Sequence, residues 1–548
     1  MAEEFSTMRN IAACFFSSAV NHADSRAVGI SGEDAYLDYR HLLRKVKECS
    51  AHLGKLASGQ RVGLLAENRP EWGKAYLAIL ASGGIVVPID ALLKQNEFQN
   101  IIEQAGITKL IVSHSFIDTA EEINKSLEYK IEIIDLENIP ESDVSDYQPN
   151  FVTDPHNTAV LIFTSGTTGN AKKVILTHEN ILSDIDSLLD IVNFQEGDRF
   201  LSVLPLHHTF EATLGFLIPL LNGCAVYYIR ELNSREIMTG FQKNKITHFV
   251  SVPLIYEKLY QGILGAVKKA PPTKRALFSI SRKATGAIYS LTGKNAGTQL
   301  FKSLRKKAGL ENLKLFVSGG APLPMEVNKG LNLLGIKLLE GYGLTETSPV
   351  LTCNRPDKIK FGTVGLPVKN VKIKIDQPDD NGVGEVLAKG PMITPGYQDN
   401  PEATEELFRD GWMCTGDLGS IDSEGFLTIK GRAKNLIVSA AGKNIYPEEI
   451  ESELLNSEYI LEAMVYAHQA SNGREEVGAM IFPDLELIAG KINKKPEEVI
   501  EDDVKEVIQS EIRHICSKMA GYKRIKHITF TQEELQKTST RKIKRYLY

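Results

Sequence analysis

The chain has 548 residues, of which 43% are hydrophobic and 24% are charged, and its formal net charge is −6. This length predicts two or more domains, and the composition excludes a disordered or fibrous chain in favour of a soluble globular protein. A negative net charge gives no support to a nucleic-acid-binding protein.

The six cysteines are scattered without C-x-x-C spacing, so neither a disulfide framework nor a zinc site is predicted. Glu3 and Glu4 stand where a secretory signal carries positive charge, and we expect a cytoplasmic protein. Residues 212–229 are uncharged, but Pro219 and Gly223 interrupt them and strand-forming residues follow. We therefore predict helix, turn and strand there, and no transmembrane span.

From about residue 26 to 240, short apolar runs alternate with helical patterns. Runs typical of buried strands are VGLLAE (62–67), IVVPID (85–90), KLIVSH (109–114), AVLIFT (159–164) and RFLSVLP (199–205). This alternation predicts an α/β fold of layered, mostly parallel sheets with helices. Ligands in such folds bind at the loops beyond the carboxyl ends of the strands.

From about residue 360 the strands become short and turn-punctuated, which predicts a small antiparallel β subdomain. A polar link at 431–436 then precedes a C-terminal stretch with strand and helix patterns of its own. We predict a large N-terminal domain over residues 1–432 and a small α+β domain over 433–548, with a hinge at 431–436.

A run rich in hydroxyl groups and glycine directly follows the strand AVLIF. It comprises Thr164, Ser165, Gly166, Thr167, Thr168, Gly169, Asn170, Ala171 and Lys172. Backbone N–H groups, hydroxyl donors and one lysine can surround a polyphosphate without a bulky side chain in the way. The spacing G-x-x-x-x-G-K-[ST] is not present here, so the run does not indicate a P-loop kinase or GTPase.

This run resembles the signature T-S-G-T-T-G-x-P-K-G of the acyl-adenylate-forming superfamily, with Ala171 replacing proline and Lys173 replacing glycine. Other segments resemble further motifs of that superfamily and occur in the same order as in its members. A series of motifs in that order is far more specific than any single motif. The segments are LPLHHTFE (204–211), GGAP (319–322), GYGLTET (341–347), WMCTGDL (412–418), GR with Lys434 (431–434), SAAGKNIYPEE (439–449) and KTSTRKI (537–543). The last motif departs at Arg541, where glycine is usual. The likeness is greatest to AMP-forming long-chain fatty acyl-CoA synthetases.

The resemblance implies ATP and Mg²⁺ as cofactors and coenzyme A (CoA) as co-substrate, and it assigns the site residue by residue. Besides the run 164–172, it implies contacts to adenine from Gly320, Ala321, Gly341 and Tyr342, and contacts to ribose from Asp417 and Arg432. It also implies Glu346 as the magnesium ligand, Thr345 at the α-phosphate, His208 beside the acyl pocket, Gly442 beside the pantetheine tunnel and Lys542 as the catalytic lysine.

The implied reaction is ATP-dependent activation of a carboxylic acid to acyl-AMP, followed by transfer to CoA with release of AMP. The C-terminal domain is expected to be mobile and to pivot at Lys434, which withdraws Lys542 and brings in Gly442. The partners expected are small molecules and not nucleic acid. Three alternatives stay open: an acyl-carrier protein as acceptor, an aromatic acid as substrate, and a non-catalytic acyl or nucleotide sensor.

Two features bear on the acid and on the location of the protein. Acetate-type relatives carry a tryptophan at the position of Gly343, so glycine there predicts a larger acyl group, most consistent with a medium- to long-chain fatty acid. Residues 266–307 contain eleven Lys and Arg and no Asp or Glu, with apolar residues interleaved. Three interpretations of this segment stay open: a solvated helical surface, a contact with the phosphates of CoA, and a peripheral contact at the inner face of a membrane.

Overall fold

The computed structural model describes residues 8–164, 171–438, 443–469, 475–538 and 543–548. The chain divides into two compact units, Met1–Lys372 with Lys389–Met413 (unit 1) and Ile373–Ala388 with Cys414–Tyr548 (unit 2). The hinge at 431–436 and the domains 1–432 and 433–548 stay predictions.

The strands are numbered in chain order. They are β1 Arg26–Ile30, β2 Tyr36–Asp38, β3 Arg61–Leu65, β4 Ile85–Pro88, β5 Lys109–Val112, β6 Glu132–Asp135, β7 Thr158–Thr164, β8 Lys172–Thr177, β9 Arg199–Ser202, β10 Ala225–Tyr228, β11 His248–Ser251, β12 Leu315–Ser318, β13 Leu338–Gly343, β14 Val350–Cys353, β15 Leu366–Pro367, β16 Lys372–Asp376, β17 Gly384–Lys389, β18 Phe408–Arg409, β19 Trp412–Ile421, β20 Leu427–Arg432, β21 Ile437–Val438, β22 Asn444–Ile445, β23 Ile460–Gln469, β24 Glu475–Pro483 and β25 His527–Phe530.

The α-helices are numbered in the same way. They are α1 Ile11–Asn21, α2 Tyr39–Leu53, α3 Pro70–Ala81, α4 Gln95–Ala105, α5 Ile117–Ser126, α6 His178–Leu189, α7 Ile218–Leu221, α8 Ser234–Asn244, α9 Pro253–Lys268, α10 Pro272–Thr292, α11 Gly297–Leu300, α12 Lys302–Lys307, α13 Met325–Leu333, α14 Pro401–Leu407, α15 Pro447–Leu454, α16 Leu485–Ile492 and α17 Glu501–Ser517.

Unit 1 contains two mostly parallel sheets. The nine-stranded sheet has the order β15-β14-β13-β12-β11-β9-β10-β1-β2, and its central strands from β13 to β1 run parallel. The six-stranded sheet has the order β6-β5-β3-β4-β7-β8, with only β8 antiparallel to its neighbour. The five apolar runs singled out in the sequence coincide with β3, β4, β5, β7 and β9 to within a residue at their starts, because strands covered on both faces read as continuous apolar stretches. The predicted fold class is confirmed.

The uncharged run 212–229 forms the helix, turn and strand that its sequence predicts. A π-helix over Glu211–Leu217 continues into α7, the chain turns at Gly223 with a φ of +70°, and β10 follows. Over the ranges that the structure describes, no helix combines the length and the apolar character needed to cross a bilayer.

Unit 2 has a core of its own around the sheet β23-β24-β25, with α15, α16 and α17 packed against it. Buried aliphatic residues such as Val465 on β23, Ala479 on β24 and Ile508 on α17 form this core. The small antiparallel subdomain predicted after residue 360 is present, and within it β19 pairs antiparallel with β20. The short strands β21 and β22 also form an antiparallel pair.

Candidate functional site

The hydroxyl-rich run joins β7 to β8, which pair antiparallel as a hairpin. Thr164 and Lys172 face each other at the end of this register, and the Thr164 hydroxyl donates to the Lys172 carbonyl oxygen at 3.3 Å. Thr164 thus ends a parallel strand, where α/β folds bind their ligands. The other predicted phosphate-binding residues, Ser165, Gly166, Thr167, Thr168 and Gly169, lie outside the described residues.

A tyrosine that the sequence analysis did not single out links this hairpin to the predicted magnesium ligand. The hydroxyl of Tyr397 donates to Oε1 of Glu346 at 2.8 Å. The Nζ atom of Lys172 lies 4.6 Å from the centroid of the same ring. Lys172 and Glu346 are therefore brought to one place in unit 1, as the motif order implies, with Tyr397 in contact with both.

Glu346 has the chemistry that a nucleotide-bound Mg²⁺ requires. The residue lies in a short 3-10 turn, Thr345–Thr347, that directly follows β13, and it is partly exposed. Among the described residues, no group of three or more His, Cys, Asp and Glu could hold a metal ion by itself. A single carboxylate fits Mg²⁺ nevertheless, because this ion takes one or two protein carboxylates and completes its shell with phosphates and water.

The predicted adenine-contacting residues lie beyond two neighbouring parallel strands. Gly320 and Ala321 form an exposed turn after β12, and Gly341 and Tyr342 end β13. Ser318 and Glu340 are register partners on these strands, so the two segments lie side by side. The structure thus brings these four residues to one edge of the nine-stranded sheet.

Glu340 is a further residue of this edge that no motif pointed to. Its carboxylate accepts from the backbone N–H of Leu323 at 3.3 Å and from the side-chain amide of Asn328 at 3.4 Å. Burial raises the pKa of Glu340 to about 8. Glu340 therefore fastens the loop after β12 to the strand that carries Tyr342.

Gly343 has a backbone reason to be glycine. A Cβ atom at this position would lie 1.7 Å from the carbonyl oxygen of Pro349. Any side chain would therefore displace the backbone, whatever acyl group binds nearby. This close approach weakens Gly343 as evidence for a large acyl group.

The segment before the π-helix contains two adjacent histidines. The ring centroids of His207 and His208 are 4.0 Å apart, and Nε2 of His207 lies 3.4 Å from Oδ2 of Asp90. Burial lowers the pKa of His207 to about 3, so its ring is neutral at physiological pH. We infer that His207 is the structural partner of this pair, and the role of His208 beside an acyl group stays a prediction.

Glu211, at the start of the π-helix, is fully buried. Among the described residues, neither of its carboxyl oxygens has a hydrogen-bond partner, and the buried hydroxyls of Ser202 and Tyr228 are also unpartnered. Ser202 and Tyr228 are register partners on β9 and β10. Burial raises the pKa of Glu211 to about 8, so the carboxyl group is largely protonated at neutral pH.

Unit 2 holds the two predicted ribose ligands as a pair. Asp417 on β19 and Arg432 on β20 are register partners, and Nε of Arg432 lies 3.0 Å from Oδ1 of Asp417. Arg432 also donates to the carbonyl oxygen of Thr415 at 3.1 Å. Asp417 is only 5% exposed, so the arginine fixes its orientation.

The two remaining predicted residues, Gly442 and Lys542, lie outside the described residues, but the chain on either side of each is well held. Val438 and Asn444 pair on β21 and β22 around residue 442. Lys537 and Ile543 form an antiparallel bridge around residue 542, and Lys537 is ion-paired with Glu462. The residues that flank each of these two segments are thus fixed in unit 2.

Comparison with known proteins places this geometry in a family context. Residues 15–398 match the AMP-binding enzyme family. A long-chain-fatty-acid–[acyl-carrier-protein] ligase of Arabidopsis thaliana is 30% identical over 461 residues, which cover 74% of this chain and 61% of that protein. The chain thus spans less than two thirds of the length of this relative.

Two further comparisons cover nearly the whole chain. The long-chain-fatty-acid–CoA ligase FadD15 of Mycobacterium bovis is 29% identical over 533 residues, covering 89% of this chain and 86% of that one. The crystal structure of the anthranilate CoA ligase AuaEII in complex with anthranoyl-AMP aligns with a TM-score of 0.77 at 22% identity, covering 100% and 98% of the two chains. At that identity the structural likeness establishes the fold alone.

Proposed function

Because the chain belongs to the AMP-binding enzyme family, we propose that it is an AMP-forming acid–thiol ligase. In this proposal it activates a medium- to long-chain fatty acid as acyl-AMP and transfers the acyl group to CoA. The observation that carries the proposal is the contact of Lys172 and Glu346 with one tyrosine at the base of the hydroxyl-rich hairpin. The long-chain fatty acid ligases among the relatives support the choice of acid.

In the first half-reaction, a carboxylate oxygen of the acid attacks the α-phosphorus of ATP. The bond from that phosphorus to the oxygen bridging the β-phosphate breaks, and pyrophosphate leaves. Two anions must meet, so catalysis depends on placement and on neutralisation of charge. Lys172, Thr345 and Lys542 serve this role in our proposal. A bound Mg²⁺ adds positive charge at the phosphates, and Glu346 is its proposed ligand.

The nucleotide itself is recognised by groups of matching chemistry. The ring of Tyr342 stacks on adenine beside the exposed turn of Gly320 and Ala321. The carboxylate of Asp417 accepts from the ribose hydroxyls, since a carboxylate can take two O–H donors at once. Arg432 holds that carboxylate in place.

In the second half-reaction, the sulfur of CoA attacks the carbonyl carbon of acyl-AMP. The bond from that carbon to the phosphate oxygen breaks, AMP leaves, and the thiol proton passes to solvent. Movement of residues 433–548 about the hinge at 431–436, with Lys434 as pivot, exchanges Lys542 for Gly442 near the acyl group. This step rests on the family resemblance.

Acid-dependent release of AMP tests the proposal. The protein is supplied with ATP, Mg²⁺ and either CoA or an acyl-carrier protein, and with acetate, hexanoate, benzoate, dodecanoate or hexadecanoate. We expect the highest rate with dodecanoate or hexadecanoate and with CoA. A peak at benzoate, or activity with the carrier protein only, would replace our choice of acid or acceptor. Lack of AMP release with every acid, together with tight ATP binding, would favour a non-catalytic sensor.

We also propose that the protein is cytoplasmic and touches a membrane through α10. Four large aliphatic residues of this helix point to solvent, with exposures of 64% for Leu277, 65% for Ile280, 38% for Ile288 and 85% for Leu291. Their spacing of three, eight and three residues places them on one helix face. A different side of the helix packs on the protein, because Thr285 is buried and Phe278 packs edge-on against Phe301 at 5.5 Å.

The charge around this face favours an anionic lipid surface as its partner. Lys274, Arg275 and Lys283 are exposed on the same helix, and residues 266–307 contain no Asp or Glu. A helix with an apolar face and basic flanks lies in the plane of a membrane interface and is attracted to anionic headgroups. A fatty acid dissolved in that membrane would then be close to the enzyme.

Vesicle sedimentation tests this contact. The triple variant Leu277→Ser, Ile280→Ser and Leu291→Ser is expected to lose binding to phosphatidylglycerol-containing vesicles, while Leu92→Ser, at a leucine 76% exposed elsewhere in unit 1, is expected to keep it. AMP release from a water-soluble acid should not change in the triple variant. If wild-type protein did not bind the vesicles and the triple variant lost only transfer to a carrier protein, the face would bind that carrier protein instead.

A further inference from the structure

Tyr397 is held in place by neighbouring residues of unit 1. Only 8% of the residue is exposed. Its backbone forms an antiparallel bridge with Val174 on β8, directly after the hairpin that Lys172 closes. The backbone N–H of Gln398 donates to the carbonyl oxygen of Lys173 at 2.8 Å, and Lys173 is ion-paired with Asp399 at 2.8 Å.

The same stretch of chain is also bonded to the turn that carries Glu346. The backbone N–H of Thr394 donates to the carbonyl oxygen of Glu346 at 2.8 Å, and the hydroxyl of Thr394 donates to the carbonyl oxygen of Ile175 on β8. Residues 394–399 therefore connect the edge strand of the six-stranded sheet to the end of β13 in the nine-stranded sheet. We call this stretch the clasp. Tyr397 is the residue of the clasp whose side chain reaches both candidate site residues.

We propose that Tyr397 is a positioning residue that sets the Glu346 carboxylate and the Lys172 ammonium group in a fixed relation. This inference rests on the roles proposed above for those two residues. The Tyr397 hydroxyl donates to Oε1 of Glu346, so the other carboxylate oxygen, Oε2, can bind a cation. Outer-shell partners of metal ligands commonly orient a ligand in this way. The ring face attracts the Lys172 ammonium group through its quadrupole.

The two contacts of Tyr397 keep Lys172 and Glu346 from pairing with each other. A lysine and a glutamate at the same place attract each other, and a direct ion pair would occupy both groups before phosphate and metal arrive. Tyr397 offers each of them a partner of suitable chemistry, the hydroxyl for the anion and the ring face for the cation. Both groups are thus held without being neutralised by each other.

Two substitutions separate the two contacts. Tyr397→Phe keeps the ring that contacts Lys172 and removes the hydroxyl that contacts Glu346. Tyr397→Leu removes both contacts. The readout is the affinity for ATP, measured by calorimetry without any acid, once with Mg²⁺ and once with EDTA, so that turnover is not involved.

For Tyr397→Phe we expect the gain in ATP affinity due to Mg²⁺ to fall about tenfold, the lower end for outer-shell partners of metal ligands, with affinity in EDTA unchanged. For Tyr397→Leu we expect affinity to fall in EDTA as well. Glu346→Gln should abolish the gain due to Mg²⁺, and adding Tyr397→Phe to it should cause no further loss, because the two changes act on one interaction. Tyr129→Phe is the matched control, since that hydroxyl donates to a carbonyl oxygen of Ile102 elsewhere in unit 1.

An unchanged Mg²⁺ response in folded Tyr397→Phe would overturn the inference, and so would additive losses in the double variant. These outcomes are distinct from a failure of the proposed function. Wild-type protein that binds ATP with Mg²⁺ but releases no AMP with any acid would leave the role of Tyr397 intact and refute the ligase activity.

Discussion

Replacing Glu211 by glutamine should raise the free energy of unfolding, relative to wild type, as the pH rises towards 8. Below about pH 4.5 the substitution should leave the free energy of unfolding unchanged. Burial raises the pKa of Glu211 from an ordinary value of 4.5 to about 8. The folded state therefore binds a proton that the unfolded state has released over that interval. Stability from this group is fully present below about pH 4.5 and is lost as the pH rises towards 8.

The size of the effect follows from linkage. Each pKa unit is worth about 1.4 kcal/mol, so the contribution of Glu211 falls by roughly 3 kcal/mol between pH 5 and pH 7.5. Glutamine has the same shape and does not titrate. The free energy of unfolding of Glu211→Gln should therefore rise, relative to wild type, by about that amount across the interval.

Urea denaturation of both proteins at pH 5, 6.25 and 7.5 measures this difference. Other buried groups also titrate: burial lowers the pKa of His178 and of His248 to about 4 each, and raises that of Glu340 to about 8. These groups are common to both proteins, so they cancel in the comparison. A difference between the two proteins that stays constant with pH would show that Glu211 is ionised in the folded state and would refute the reasoning.

Three further predictions concern single residues. Gly343→Ala should lower the free energy of unfolding by several kcal/mol and abolish AMP release, because its Cβ would lie 1.7 Å from the Pro349 carbonyl oxygen. Gly265→Ala is the control, since a Cβ there would have nothing within 4 Å, and thermal melting should show it to be neutral or stabilising. Asp417→Asn should weaken AMP binding in calorimetry by about tenfold or more, since a charged acceptor is lost; equal affinity would remove Asp417 from the ribose site. Lys542→Ala should lose 10²–10³-fold or more in acid-dependent AMP formation yet keep thioester formation from supplied acyl-AMP, and an equal loss in both assays would refute its role.

The fold could be predicted from local signals because buried parallel strands are continuous apolar runs. The runs 62–67 and 85–90 overlap β3 and β4, and Pro219 and Gly223 mark the turn before β10. The sequence also predicted that Lys172 and Glu346 serve one site, and the structure places both against one side chain. The signals for the strands and the turn lie within a few residues of those features, whereas the shared site of Lys172 and Glu346 is implied by the order of the family motifs.

Tyr397 could not be found in this way, because its role arises from pairing across the chain. It stands more than two hundred residues from Val174, its partner in the bridge to β8, and about fifty from Glu346. Nothing in the neighbouring residues marks a tyrosine there as different from one in a surface loop. The same holds for Glu340 and Glu211, whose burial depends on packing between elements far apart in sequence.

The glycine at position 343 has two explanations, and only one of them concerns the size of the acyl group. In the sequence, glycine where acetate-type relatives carry tryptophan predicts an open acyl site. In the structure, a Cβ atom at this position would lie 1.7 Å from the Pro349 carbonyl oxygen, so glycine has a backbone reason in this chain that does not depend on the acid. The choice of a long-chain acid must therefore rest on other observations, namely the long-chain relatives and the exposed apolar face of α10. Those two are independent, because the relatives bear on the reaction and α10 bears on where the acid comes from. A preference for long-chain acids together with binding to vesicles would thus support a long-chain substrate more strongly than Gly343 alone does.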